Sequence, residues 1–241
     1  MTLEELKKLY TELQKEYNNL KKLNEVEQIT KSRAFIKKLL EKNEESMLNF
    51  HYLLLRDKEI PDLYNRIRAS FDERPKEIIE PFLLDKLKTE KDILLKADTI
   101  QLLGGIGSSE VLPYVKNNIK SENGNIRYRC IIVLGWLGNK NDLPILNERL
   151  INEPNDELRG YAATAMRQIW FKKRATSEDI LPYLYSALVN ENSEETLSMI
   201  IIVIQDLLKR KFGLQERIDE RRITGDVFKA KEKVIQKLGL K

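Results

Sequence analysis

Side chains able to do acid–base, nucleophilic or metal chemistry are scarce in this chain, which has one histidine, His51, and one cysteine, Cys130, in 241 residues. An imidazole can act as a general base near neutral pH and a thiolate as a nucleophile or soft metal ligand, but each needs a partner to activate or share it. His51 lies in NFHYLLLRD, an aromatic and leucine-rich run, which favours a hydrogen-bonded packing histidine over a general base. Cys130 falls on the apolar stripe of a helical pattern and is expected to be a packing residue. A lone cysteine forms neither an internal disulfide nor a cysteine-cluster metal site. No GxxxxGK[ST] phosphate loop occurs, and GGIG at 104–107 lies where a helix is expected to end. The carboxylates fall mostly in mixed-charge helical faces. No catalytic residue, metal or cofactor is therefore expected, and binding becomes the chemistry to consider.

Aromatic and basic residues offer that chemistry at Trp136, Trp170 and the run Lys172, Lys173 and Arg174 in FKKRATSED. Total charge does not by itself call for a nucleic-acid partner, because 42 basic residues face 38 acidic ones and the net charge is only +4. The opening MTLEELKKLYTELQKEY is charged throughout and lacks the apolar core of a secretory signal. The longest apolar run, MIIIVI at 199–204, is far shorter than the roughly 20 residues a membrane helix needs. A cytoplasmic protein with no membrane partner is expected.

The elements that must position these residues repeat. IIEPFLLDKL, EVLPYVKNNI, NDLPILNERL and DILPYLYSAL place Pro81, Pro113, Pro144 and Pro182 at spacings of 32, 31 and 38, a period typical of solenoids. Each proline is expected in the first turn of a helix, where few backbone donors have partners to lose. Upstream of each lies another helical pattern at i, i+4, i+7, i+11: Leu95, Thr99, Leu102 and Ile106; Ile126, Cys130, Val133 and Leu137; Leu158, Ala162, Ala165 and Ile169. Leu197, Ile201, Ile204 and Leu208 continue it, so MIIIVI is expected to be buried helix despite its β-prone composition. Gly107 and Gly138 follow these first helices, where a left-handed residue commonly closes a helix. NKND at 139–142 then supplies the turn and its caps. Gly104 and Gly135 lie inside the helices and are expected to permit close helix approach, while Trp136 aligns with Gly105 and is expected to cover space beside it. FKKRATSED lengthens the turn of the third unit, as either an insertion or a binding loop.

NIRYRCIIVLGWLGNKNDLPILNERLINEPND and LRGYAATAM resemble the short HEAT-like repeat of the phycobilisome-lyase type. The resemblance is clear over about residues 90–190, with Arg127 and Arg159 matching the repeat's arginine, Lys96 replacing it in the first unit and Ser198 in the fourth. It implies an all-α fold, a right-handed α-solenoid of helical hairpins whose second helices line the concave side. Some relatives are hydroxylases with paired His–Glu ligands, but no His–Glu dipeptide occurs here. Nothing in the residues supports the bilin lyase activity of others.

At the start, Leu3, Leu6, Tyr10, Leu13, Tyr17 and Leu20 form an amphipathic helix with Thr2 and Glu5 as a capping box. It is expected to lie against the next helix around Ile29, Ile36 and Leu40; a partner helix is the alternative. Residues 1–59 form the expected helical cap and 60–241 the solenoid, continuous as one domain. Near the end, Lys209 to Lys211 and Arg221 with Arg222 are expected on a solvated face among Glu216, Asp219 and Glu220, before a last amphipathic segment, Val227 to Leu238.

The second helices should bury Leu112, Val115 and Ile119, Leu143, Leu146 and Leu150, and Leu181, Leu184 and Leu188. Tyr114, Asn117, Asn118, Glu148, Arg149, Tyr183 and Tyr185 should then face outward as one strip suited to protein recognition, with Lys172, Lys173 and Arg174 as the second candidate. The expected function is a non-enzymatic scaffold for another cytosolic protein, an adaptor or a toxin-immunity protein. The alternative is a nucleic-acid-binding or repair protein resembling the helical-repeat DNA glycosylases.

Overall fold

The computed structural model describes residues 1–18, 25–217, 220 and 222–239. Two compact units divide at Ile106 and Gly107. The first contains α1 (Leu3–Asn18), α2 (Glu25–Leu40), α3 (Glu45–Leu53), α4 (Pro61–Ala69), α5 (Lys76–Thr89) and α6 (Ile93–Gly105). Thr2 and Glu5 form the expected reciprocal cap at α1, with the Thr2 N–H 2.7 Å from the Glu5 carboxylate and the Glu5 N–H 3.2 Å from the Thr2 hydroxyl. Leu6, Tyr10 and Leu13 then bury against α2, where Phe35 and Leu39 take the deepest places beside Ile36. Leu20 lies outside the described residues.

His51, completely buried, explains why this unit holds together around a polar centre. The Arg74 Nε donates to its Nδ1 at 3.0 Å, so the imidazole proton sits on Nε2, 3.0 Å from the Ile67 carbonyl. Its ring stacks on Phe71 at 3.7 Å. The remaining Arg74 donors satisfy the Leu39 and Lys42 carbonyls and the Asn43 amide oxygen, capping the end of α2.

The second unit contains α7 (Leu112–Asn118), α8 (Gly124–Leu137), α9 (Leu143–Asn152), α10 (Asp156–Phe171), α11 (Ser177–Asn190), α12 (Glu194–Leu208) and α13 (Val227–Leu238). The first helices α8, α10 and α12 pack side by side, and α7, α9 and α11 pack on α8, α10 and α12 in turn. Gly135 permits a close backbone approach: a Cβ there would lie 2.8 Å from the Ala165 Cα on α10. The MIIIVI run is helical as expected, with Ile200 to Ile204 all buried in α12. α13 covers α12 with Val227, Ala230 and Val234.

Four details differ from expectation. Pro113 and Pro144 do stand in first turns, each after a short 3₁₀ turn, but Pro81 and Pro182 lie inside α5 and α11. In these two the helix begins a turn earlier and accepts one missing ladder bond. Gly107 is left-handed at φ 69°, whereas Gly138 closes α8 with φ −69° and ψ 177°, in extended backbone. The cap of α12 is Ser193, so the position of Arg127 and Arg159, four residues after their caps, belongs to the buried Leu197 and not to Ser198. Finally, β1 (Gln215–Arg217) and β2 (Arg222–Thr224) form an antiparallel hairpin that the polar sequence did not announce. Gln205 anchors the segment leading into it through the Phe212 N–H and the Leu214 carbonyl. Asp219 and Arg221 lie outside the described residues.

Candidate functional site

The inner stripe of the second helices is set two residues before each proline. Val111, Val115 and Ile119 in and beside α7 and Ile180, Leu184 and Leu188 in α11 are fully buried at i, i+4, i+8. Leu112 and Leu181, expected in the core, are only half-buried, because this stripe runs one residue out of phase with them. α9 keeps Leu143, Leu146 and Leu150 inside, and Asp142 occupies the stripe's first position. Its carboxylate accepts from the Asn139 N–H at 3.0 Å and pairs with Lys116 at 2.6 Å, so the buried charge is satisfied locally.

Arg149 is a correction to the outward strip. It is 7% exposed, bound by two 2.7 Å hydrogen bonds to Glu148 and by one of 3.2 Å to Glu153. Glu148 holds its guanidinium charged and Arg149 lowers the Glu148 pKa in return. Glu148 also reaches Lys120 at 3.3 Å and is half-buried, so this pair belongs to an ion cluster. Asn118 donates its amide to the Tyr114 carbonyl at 2.9 Å. Asn117 is exposed, and Tyr114, Tyr183 and Tyr185 are half-buried, with burial raising the Tyr114 and Tyr185 pKa values. Among the described residues no hydrogen bond or ring contact joins these three tyrosines to one another.

Behind the strip lies a clasp that sequence reasoning missed. Arg127 on α8 places Nε and Nη2 2.8 and 2.7 Å from the two oxygens of Glu153, at the end of α9, and Arg159 on α10 reaches Glu191, at the end of α11, at 2.7 and 3.2 Å. Burial would raise the Glu153 and Glu191 pKa values, but these guanidinium hydrogen bonds, with backbone N–H groups, hold both low. A signal was available: Glu90, Glu122, Glu153 and Glu191 each follow a repeat proline by the same interval. Also unforeseen is the contact between Tyr128 and Tyr161, with centroids 5.1 Å apart on neighbouring first helices.

The lengthened turn is built into the stack. Lys172 Nζ and Arg174 Nη1 donate to the Trp136 carbonyl at 2.9 and 3.2 Å, and the Arg174 carbonyl accepts from the Lys140 N–H at 3.1 Å. Lys172, Lys173 and Arg174 remain exposed, while Trp136 and Trp170 are half-buried.

Neither chemical candidate is available to a substrate. Burial, and then the Arg74 charge, push the His51 pKa down to about 3. Burial pushes the Cys130 thiol up to about 12, where little thiolate exists at neutral pH. No group of three or more His, Cys, Asp or Glu residues suited to a metal ion occurs among the described residues. No helix among them is long and apolar enough to cross a membrane.

Comparison with known proteins agrees with this architecture. A family model for HEAT repeats matches residues 80–167, from within α5 to within α10. No curated protein matches the chain. Pairs of helices in succession, with recurring proline, glycine and arginine positions, and the match of that model over residues 80–167 identify HEAT-like repeats in the chain.

Proposed function

We propose that this HEAT-like chain is a non-enzymatic protein-binding scaffold whose partner docks on the outer face of α7, α9 and α11. HEAT repeats are helical scaffolds for protein interaction, which supports the general reading. The observation that carries the specific one is the placement of Tyr114, Tyr183 and Tyr185, which stay partly open outside a filled leucine stripe. Tyrosine there offers apolar area with a polar tip at small entropic cost. Asn117 supplies an exposed amide, while Arg149 and Glu148 act beneath the surface to hold it in shape. The partner is another protein of the same compartment, and the scaffold serves as an adaptor or an immunity factor.

The test is site-specific photo-crosslinking in the native cell. A photoreactive residue at Tyr183 or Asn117 is expected to capture a discrete protein, while one at Asn125 on the first helix α8 is not. Capture from Asn125 alone, or from none of these positions, rejects the second-helix face. Tyr114→Ala with Tyr183→Ala should abolish the capture and keep the helical circular dichroism.

A further inference from the structure

We propose a second docking surface, at the edge of the second unit where α8, α10 and α12 end, that takes an acidic protein segment carrying apolar side chains between its carboxylates. It is separate from the second-helix face. Two neighbouring first helices end there in the same uncommon way. Lys173 and Lys209 both adopt the left-handed conformation, at φ 57° and 51°. In each case the next residue, Arg174 or Arg210, closes the helix by donating its N–H five residues back, to Ile169 or Gln205, at 3.0 Å. Glycine normally fills this closing position because a Cβ is strained there. Lysine twice in that place keeps a cation where local conformation disfavours it.

Cations near a helix C-terminus are favoured by its dipole, yet here there are three at each end: Lys172, Lys173 and Arg174, then Lys209, Arg210 and Lys211. All six are exposed. The two ends adjoin, since the Ser177 hydroxyl, just past the first, donates to the Leu207 carbonyl at 3.3 Å. Of the nearby carboxylates, Asp179 is paired with Lys140 at 2.6 Å, and Asp206 and Glu216 with Arg167 at 3.3 and 3.0 Å, which leaves the exposed Glu178 against six cations. Among the described residues no ion pair holds Lys173 or Lys209. A concentrated positive edge therefore sits on a molecule of weak total charge, which steers acidic partners to one place.

Phe171 gives that edge an apolar ledge. It is 53% exposed, beside Lys172, with the Trp170 ring 5.0 Å away. The Arg167 guanidinium lies 5.4 Å from the Phe171 centroid. With these two groups already against the ring, it is a poor platform for a stacked base, the contact that single-stranded nucleic acids use most. Its open part suits a leucine or phenylalanine of a peptide instead. The cations on either side then meet the peptide's carboxylates, a recognised mode of acidic-motif binding.

The test uses a fluorescein-labelled synthetic peptide of alternating Glu–Asp and Leu–Phe pairs, with fluorescence anisotropy as the readout. Its controls are the same peptide with Ser for Leu and Phe, the same peptide with Gln and Asn for the acids, and a labelled single-stranded oligonucleotide of equal length. The acidic–apolar peptide is expected to bind about tenfold more tightly than any control. Lys173→Gly with Lys209→Gly should raise the Tm, because the strain is relieved, while weakening the peptide about tenfold. Phe171→Ser should weaken it, and Tyr114→Ala with Tyr183→Ala should leave it unchanged, which separates this surface from the second-helix face. Equal binding of the neutral or serine peptide overturns the proposal, as does undiminished affinity in the double glycine variant. Preference for the oligonucleotide replaces the protein segment with a nucleic acid and likewise overturns it.

Discussion

Glu153 carries more of this fold than any residue chosen for its chemistry. It is 1% exposed and accepts from both Arg127 and Arg149, so removing it leaves the largely buried Arg127 guanidinium without a carboxylate and Arg149 with Glu148 alone. Glu153→Ala is expected to cost about 3 kcal/mol in urea unfolding, in the range for breaking one side of a buried ion pair. Lys120→Ala, which removes an exposed contact to Glu148, should cost less than about 0.5 kcal/mol. His51 offers a cleaner readout, as the single histidine of the chain. Its imidazole resonances in NMR should show no titration until the pH nears 3, where the folded pKa lies. Between that value and the ordinary 6.5, the unfolded chain binds a proton that the folded one refuses, so stability falls as the pH is lowered through this window. A His51 titration near pH 6.5 in the folded protein would contradict the Arg74 hydrogen bond.

Between elements, the distance at which helices pack decides which small residues matter. Gly135 faces backbone, with the Ala165 Cα 2.8 Å from where a Cβ would stand, and a backbone cannot step aside. Alanine there gains about 1 kcal/mol of helix propensity but must push α8 from α10, and a net loss of about 1 to 2 kcal/mol is expected. At Gly160 the added Cβ would meet the Met199 Sδ, the end of a flexible side chain. Gly160→Ala should therefore cost less than Gly135→Ala in the same thermal unfolding experiment, because Met199 can change rotamer. Equal losses would mean that the α8–α10 contact is not the tighter one.

For the whole molecule, charge is nearly balanced, and what distinguishes it is local arrangement. With a net charge of +4, binding to random duplex DNA at physiological salt is expected to be feeble. Anisotropy titrations at several salt concentrations check this: tight binding with a steep log–log salt slope would reveal many phosphate contacts and restore the nucleic-acid alternative.

What the sequence determined by itself is the repeat and its punctuation. The i, i+4, i+7 apolar patterns and the NKND turn each depend on residues within a few positions of one another, the proline interval shows that they recur, and they appear as helices, stripe and cap, with Asn139 and Asp142 forming the reciprocal box. The same logic placed MIIIVI in a helix, because period outweighs the β preference of isoleucine when the other units share it. Arg149 shows where that logic stops. Helical phase alone puts it outside, but Glu148 beside it and Glu153 one turn on neutralise it, and Arg127 from another helix completes the cluster. Of the candidate strip, Asn117 is exposed and Tyr114, Asn118, Glu148, Tyr183 and Tyr185 are half-buried, while Arg149 is buried in its ion pairs. The clasp, the hairpin after α12 and the left-handed lysines were likewise decided by tertiary structure. Which charges meet, and which helix end needs closing, depend on elements brought together from distant parts of the chain; the glutamate recurring after each repeat proline marks one half of the clasp, but its spacing does not say which arginine it meets.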